Sequence, residues 1–97
     1  MTLAAFIASV KDPQPPSLDV YLTSLWYARK GNWDKAHELV QDLPDHVAAH
    51  IHAYLHRVEG DDWNADYWYR RAGEKRPFLS LEQEWEALAT HLLPREK

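Results

Sequence analysis

The 97-residue chain contains no cysteine, only three glycines and one methionine, and it has no long apolar run. Without cysteine, this chain forms no disulfide bond, no cysteine-ligated zinc site and no thiol nucleophile. The apolar run Leu3–Val10 is much shorter than the roughly 20 residues of a membrane-spanning helix. No Lys or Arg precedes that run, as would be usual in a signal peptide. We therefore expect a cytoplasmic protein that does not bind membranes.

Positive charge is also scarce, because 11 Lys and Arg stand against 15 Asp and Glu, for a formal net charge of −4 at pH 7. That balance provides no general attraction to nucleic acid. One local basic cluster follows the rings of Trp68 and Tyr69, an arrangement that can suit single-stranded nucleic acid. The cluster consists of Arg70, Arg71, Lys75 and Arg76. Glu74 interrupts it, and cations are common at helix C-termini in any case, so we predict no nucleic-acid partner.

Large rings are abundant, with five Trp and five Tyr, which indicates a core or an interface built from amphipathic aromatic side chains. Three Gly and six Pro divide the chain into segments, and no segment alternates convincingly with a period of two. We therefore predict an all-α fold in a single domain, residues 1–97. Its predicted elements are an N-terminal helix at about 2–10, a first helical hairpin at 17–42, a second hairpin at 44–73 and a C-terminal capping helix at 80–93.

Several local signals predict where these helices begin and end. Ser17 is predicted to cap the first helix of the first hairpin, and Pro44 suits the first turn of the next hairpin. Gly73 is predicted as a C-terminal cap. Ser80 and Gln83 have the spacing of a capping box, which predicts the start of the last helix.

The two hairpins share a sequence pattern. With Gly31 placed over Gly60, LWYARKGNWDKAHELV aligns with YLHRVEGDDWNADYWY, and Ala36 falls on Ala65. Small residues at such positions admit a partner helix while neighbouring rings fill the flanks. The spacing is somewhat shorter than the roughly 34 residues of a tetratricopeptide repeat.

The second unit resembles a tetratricopeptide repeat, and its segment Ala65–Ala72 (ADYWYRRA) is similar to the A-x-x-W-Y-x-[KR]-A signature of Sel1-like repeats. The longer string EGDDWNADYWYRRAG resembles small uncharacterised bacterial proteins, a similarity that implies no activity. Tetratricopeptide and Sel1-like modules generally bind proteins. The resemblance therefore implies two tetratricopeptide-like hairpins that bind a protein or peptide. The N- and C-terminal helices would act as caps, because two units are fewer than the three or so that such stacks need.

In tetratricopeptide stacks the first helix of each hairpin lines a concave groove, and the resemblance places Tyr21, His50, Tyr54 and Arg57 in it. Rings beside an arginine are typical of binding hot spots. We predict non-catalytic binding of a protein, a peptide or a second copy of the chain, with Tyr54 and Arg57 exposed and Arg57 anchoring a carboxylate. Two alternatives stay open: the N-terminal helix covers Tyr21, or Arg57 pairs only with acidic residues beside the Gly60 turn.

A small enzyme or ligand-binding domain is the alternative function, centred on His50, Tyr54, His56 and Arg57 of the predicted helix at 44–59. It would need an enclosed polar pocket, whereas a binding scaffold needs an open groove. The sequence does not settle whether the protein is an enzyme. It favours the non-catalytic function, because no nucleophile motif, phosphate-binding loop or EF-hand loop is present.

Two histidine pairs, His46/His50 and His52/His56, have an i, i+4 spacing that can chelate a metal ion. The pairs point to different sides of their helix, so together they do not form one four-ligand cage. His52 and His56 lie at hairpin-packing positions, where a hydrogen-bonded imidazole is the ordinary arrangement. We predict no metal site and no cofactor.

The last predicted helix carries an apolar stripe with the periodicity of an α-helix. The stripe consists of Leu81, Trp85, Leu88 and Leu92. Trp63, Tyr67 and Arg70 form a matching surface on the preceding helix, at i, i+4 and i+7. We expect the stripe to dock on that surface and close the stack. The alternative is that a partner protein contacts Trp63 and Tyr67.

Overall fold

The computed structural model describes residues 1–94, which form six α-helices and no strand, so the fold is all-α. Residues 95–97 of the predicted domain lie outside this described part. The helices are α1 (Leu3–Ser9), α2 (Val20–Lys30), α3 (Trp33–Val40), α4 (His46–Val58), α5 (Asp62–Arg71) and α6 (Leu81–Leu92). Within 1–94, none of the helices has the length and apolar character needed to cross a membrane.

Two pairings dominate the packing: α2 with α3, here called hairpin one, and α4 with α5, called hairpin two. Each hairpin turns at a glycine in the left-handed region, Gly31 with φ of 91° and Gly60 with φ of 82°. A side chain at either position would strain the backbone, which is why glycine follows the first helix of each hairpin. Hairpin one contacts hairpin two through α2 and α3, which both pack on α4.

Side-chain caps define where the helices begin. Ser80 and Gln83 form the predicted capping box, with Ser80 Oγ accepting from the Gln83 N–H at 3.1 Å, so that prediction is confirmed. The predicted cap at Ser17 is wrong, because the Asp19 carboxylate accepts the Leu22 N–H at 2.9 Å and α2 begins at Val20. A carboxylate at the N-terminus also interacts favourably with the helix dipole.

The N-cap of α4 is likewise an aspartate. The Asp45 side chain accepts the Ala48 N–H at 3.1 Å, and α4 begins at His46. Pro44 therefore precedes the cap and does not lie in the first turn, as the sequence had predicted. Proline at this point still restricts the entering chain, because its φ is fixed.

The main core joins helices from both ends of the chain. Phe6 of α1 stacks on Trp85 of α6 with ring centroids 5.5 Å apart, and both are buried. The Trp85 indole N–H donates to the Leu25 carbonyl at 2.8 Å, and the Trp26 indole N–H donates to Ser9 Oγ at 3.1 Å. These contacts hold α1 and α6 against α2. Burial of such large rings is the main source of stability in a domain of this size.

A smaller cluster lies inside hairpin two, where Ala53 and Ala65 are fully buried beside Tyr69 and Trp68 packs against them. The small residues let α4 and α5 approach closely while the rings fill the sides of the contact. This arrangement agrees with the Ala65 face that the repeat pattern predicts.

The predicted docking of α6 on α5 is wrong. Helix α6 packs on α4, α2 and α1, and Trp63 of α5 is 76% exposed. The reason is that Trp85 of α6 donates to the Leu25 carbonyl of α2, while Glu84 pairs with Arg57 of α4. Helix α6 therefore occupies the surface formed by the first helices of the two hairpins.

Candidate functional site

A buried carboxylate, Glu84 of α6, has three polar partners, and these four residues are here called the Glu84 cluster. Glu84 is 2% exposed. Arg57 Nη1 donates to Glu84 Oε1 at 2.8 Å, and the Tyr69 hydroxyl lies 2.8 and 2.6 Å from the two carboxylate oxygens. His50 Nε2 lies 3.4 Å from Oε2. Buried charges are tolerated when they are paired and hydrogen-bonded in this way.

Each partner is held in place by its own element. His50 and Arg57 lie on α4, Tyr69 lies on α5, and the capping box at Ser80 fixes the start of α6 one turn before Glu84. Arg57 Nη2 also donates to the Leu79 carbonyl, so this guanidinium ties α4 to the segment that leads into α6. The arrangement makes Glu84 a point where hairpin two is joined to α6.

The pKa values follow from this geometry. Burial raises the pKa of Glu84, but hydrogen bonds from His50, Tyr69 and Arg57 outweigh it, so the pKa lies below its usual value of 4.5. Burial and the bond to Glu84 raise the pKa of Tyr69. Burial, with the Glu84 charge, raises the pKa of Tyr54 to about 12. At neutral pH Glu84 is therefore ionised, and the phenols of Tyr69 and of the neighbouring Tyr54 are neutral.

The lowered pKa of Glu84 predicts a loss of stability in acid. The folded state favours ionised Glu84, so its contribution is fully present above the usual pKa of 4.5 and is lost as the pH falls through the lower folded pKa. We expect the free energy of unfolding, measured with urea at a series of pH values, to fall below about pH 4.5. Glu84→Gln should make that slope shallower. An unchanged slope in the variant would show that other carboxylates cause the acid sensitivity.

The structure brings three of the four predicted site residues, His50, Tyr54 and Arg57, close to Glu84. It does not leave their side chains fully exposed to solvent. Tyr54 is 6% exposed and the Arg57 side chain is 18% exposed, so the predicted exposure of both is wrong. Arg57 pairs with Glu84 across the groove and not with an acidic residue beside the turn. The predicted carboxylate anchor exists, but the chain itself supplies the carboxylate.

Tyr21, the fourth predicted site residue, lies apart from the Glu84 cluster. It is partly buried on α2 against the main core, and a hydrogen bond with Asp45, followed by burial, raises its pKa. Sequence reasoning also missed Glu84 and the role of Tyr69. A signal for Glu84 was present, because a charged residue three after Leu81 and four before Leu88 lies on the apolar stripe.

A second group of titratable residues, the histidine cluster, comprises His37 of α3 with His52 and His56 of α4. His37 Nε2 and His52 Nε2 are 2.9 Å apart, so the N–H of one imidazole donates a hydrogen bond to the other ring. Burial, with the nearby imidazoles, lowers the pKa of His52 to about 4 and also lowers the pKa of His37. Two of these rings are therefore neutral at physiological pH.

The residues of the predicted enzyme or ligand site do not converge. His50 and Arg57 contact Glu84, whereas His56 faces His37 and binds Glu59 through Nδ1 at 2.6 Å. On a helix, positions 50 and 57 share a face that positions 52 and 56 do not. The polar residues of α4 thus serve two separate clusters. A cavity of about 340 Å³ borders His50 and Glu84, with largely apolar walls from α4 and α6.

The outer face of α5 exposes two aromatic rings. Trp63 is 76% exposed, and Tyr67 is also exposed one turn later. Arg70 follows on the same side and borders an open groove of about 820 Å³ between α5 and the segment before α6. Phe78, which is fully exposed, lines this groove as well. We call Trp63, Tyr67 and Arg70 the α5 face.

The fold, together with the Glu84 cluster, defines the protein as an all-α protein of helical hairpins. Its helix α6 fills the surface between the two hairpins. No protein-family model matches the chain, and no curated protein or solved structure matches it. The likeness to tetratricopeptide and Sel1-like repeats therefore stays a prediction.

Proposed function

We propose that the protein is a non-catalytic, tetratricopeptide-like module that binds a partner protein or peptide in the cytoplasm, and that the partner contacts the α5 face. The exposure of Trp63 is the observation that carries this proposal. An indole ring that is 76% exposed contributes little to the core, and tryptophan is among the residue types most enriched at binding hot spots. The exposed Phe78 ring at the adjoining groove adds a second apolar anchor.

The charges around this surface favour an acidic partner. Arg76 is already paired with Asp62 at 2.8 Å and with Asp66 at 3.2 Å. Arg70 and Lys75 also border the groove, and neither forms an ion pair with any residue of the described range. Glu74 borders it without an ion pair in that range as well, so the unpaired charges there are two cations and one carboxylate. These two cations are free to receive carboxylates. A peptide that combines apolar and acidic side chains fits both features.

The groove that the sequence predicts, with Tyr21, His50, Tyr54 and Arg57, is a weaker candidate for the partner. Helix α6 covers it, and removing α6 would leave the Arg57 charge without Glu84. Breaking a buried pair in this way is strongly unfavourable. We therefore assign the partner to the α5 face. The proposal gives no catalytic role to the residues of α4.

The test uses peptides selected on the purified protein from a random library. We expect apolar, acidic peptides, and we expect Trp63→Ala to weaken their binding by about tenfold or more, because hot-spot truncation commonly costs 2 kcal/mol or above. Arg70→Glu should also weaken them. Binding can be measured by fluorescence anisotropy, together with the melting temperature of each variant.

Matched controls separate the α5 face from general effects. Val58→Ala removes an exposed apolar side chain from α4, and Lys11→Glu reverses an exposed charge outside the helices. Both variants should bind the peptides as the unaltered protein does. Peptides that bind equally well to Trp63→Ala would contradict the proposed surface. Sedimentation that shows a dimer lost on Trp63→Ala would instead assign the face to a second copy of the chain.

A further inference from the structure

The histidine cluster brings together three imidazoles from two hairpins. One ligand nitrogen from each of His37, His52 and His56 lies within 4.8 Å of the other two. His37 belongs to α3 of hairpin one, whereas His52 and His56 are one turn apart on α4 of hairpin two. Three imidazole nitrogens that lie this close together form a donor set that is typical of transition-metal sites.

We propose that His37, His52 and His56 bind one zinc ion, with water as the fourth ligand. Imidazole suits zinc, and three histidines with one open position is a known zinc arrangement. Tetrahedral zinc with bonds of about 2.0–2.1 Å places its ligand nitrogens roughly 3.3 Å apart. The His37 and His52 Nε2 atoms are 2.9 Å apart and share one hydrogen bond. Zinc would replace that bond: the ring that donates through Nε2 would carry its proton on Nδ1 instead, and the two nitrogens would separate by a few tenths of an ångström.

Stacked indole rings hold two of the ligands in place. Trp68 lies against His52 with centroids 3.8 Å apart and planes at 16°. Trp33 lies against His37 with centroids 4.7 Å apart and planes at 12°. The Trp33 indole N–H in turn donates to the Leu55 carbonyl at 2.6 Å. The rings are therefore held near their binding orientation before a metal ion arrives, which lowers the entropic cost of binding.

The third ligand has the outer hydrogen bond that metal-binding histidines usually make. His56 Nδ1 lies 2.6 Å from Glu59 Oε1, so Nδ1 donates to the carboxylate and Nε2 is left as the ligand atom. His52 is buried, while His37 and His56 are partly exposed. One side of the cluster is thus open to solvent, and a zinc ion and its water can enter from that side.

The site differs from the pairs that the sequence suggested, because its third ligand comes from another helix. The spacing of the histidines on α4 gives two separate pairs, and from these pairs alone we predicted no metal site. Only the packing of α3 on α4 adds His37. A zinc ion there would link the two hairpins. Because zinc would bind the folded state and not the unfolded chain, it would raise the stability of the folded protein.

The test measures zinc binding by the purified, metal-free protein with isothermal titration calorimetry. We expect one zinc ion per chain and a melting temperature that rises with zinc concentration. Cobalt chloride should give the intense visible absorption of four-coordinate cobalt. His37→Ala and His56→Ala should each weaken zinc binding by tenfold or more, and Glu59→Gln should weaken it about tenfold as an outer partner. His52 is left unchanged in the test, because it is buried and its replacement would also disturb the packing of hairpin two.

The controls are two histidines outside the cluster and one nearby aspartate. His46→Ala and His91→Ala should leave zinc affinity unchanged. Asp61→Asn should also leave it unchanged, because asparagine can still cap α5. Asp61 matters because His56, Glu59 and Asp61 form a second close group of ligand atoms. Zinc affinity that falls in Asp61→Asn but survives His37→Ala would overturn the three-histidine site. The absence of one-to-one binding in the unaltered protein would overturn it as well.

Discussion

Replacing Glu84 with alanine should lower the free energy of unfolding by about 3–5 kcal/mol, the usual cost of breaking a buried ion pair from one side. The change leaves the Arg57 guanidinium without its carboxylate and removes the acceptor for the Tyr69 hydroxyl. It also removes the polar link between α6 and hairpin two. Urea unfolding followed by circular dichroism gives the free energy of unfolding. For a small domain that free energy is only about 5–15 kcal/mol, so the expected loss is a large part of it.

A double variant separates the ion pair from the packing of α6. Arg57→Met with Glu84→Leu replaces both charges by apolar side chains of similar size, and such replacements are often neutral or stabilising. The Tyr69 hydroxyl loses its acceptor in the double variant as it does in Glu84→Ala, so that cost is common to both. We expect the double variant to be clearly more stable than Glu84→Ala. Equal losses in the two variants would show that Arg57 is not left unpaired by the single change. A loss below about 1 kcal/mol for Glu84→Ala would contradict the buried cluster altogether.

Replacing Trp85 with alanine should also cost about 3–5 kcal/mol, the range found for removing a large ring from a core. Trp85 is 1% exposed and stacks on Phe6. Its indole N–H is a donor to the Leu25 carbonyl, and the Arg29 guanidinium lies 4.5 Å above the ring. The change therefore opens a cavity and weakens the contact of α6 with both α1 and α2. The same urea measurement applies.

Trp63→Ala is the matched control, because it removes the same side chain from an exposed position. We expect its stability to stay within about 0.5 kcal/mol of the unaltered protein, as for surface substitutions in general. The pair of variants thus reports where each indole lies. If Trp63→Ala were as destabilising as Trp85→Ala, the α5 face would be covered in solution, and the proposed partner surface would be lost with it.

The contrast between these two tryptophans bears on function. Helix α6 supplies Glu84 and Trp85 to the surface between α2 and α4, which is where tetratricopeptide-like proteins would hold a peptide. Its carboxylate meets Arg57 in the way expected of an external ligand. The proposed partner therefore needs another surface, and the α5 face is an aromatic surface that α6 leaves exposed.

Local features of the fold could be predicted from the sequence alone. Glycine and proline positions divided the chain into helical segments, and the Ser80–Gln83 spacing predicted the capping box that begins α6. Ala65 was predicted to face the partner helix, and it is fully buried there. These features depend on interactions within a few residues, so a short stretch of sequence contains their cause. The start of α2 was misplaced because two good capping residues, Ser17 and Asp19, precede it.

Only the tertiary structure decided which helix lies against which. Helical periodicity shows that α6 has an apolar face, but it does not show whether that face meets Trp63 or the space between α2 and α4. Glu84 and its partner Arg57 lie on different helices, as do His37 and His52. Contacts between residues so far apart in the chain form when the whole core packs, because each depends on the burial of rings such as Trp85 that no neighbouring sequence specifies.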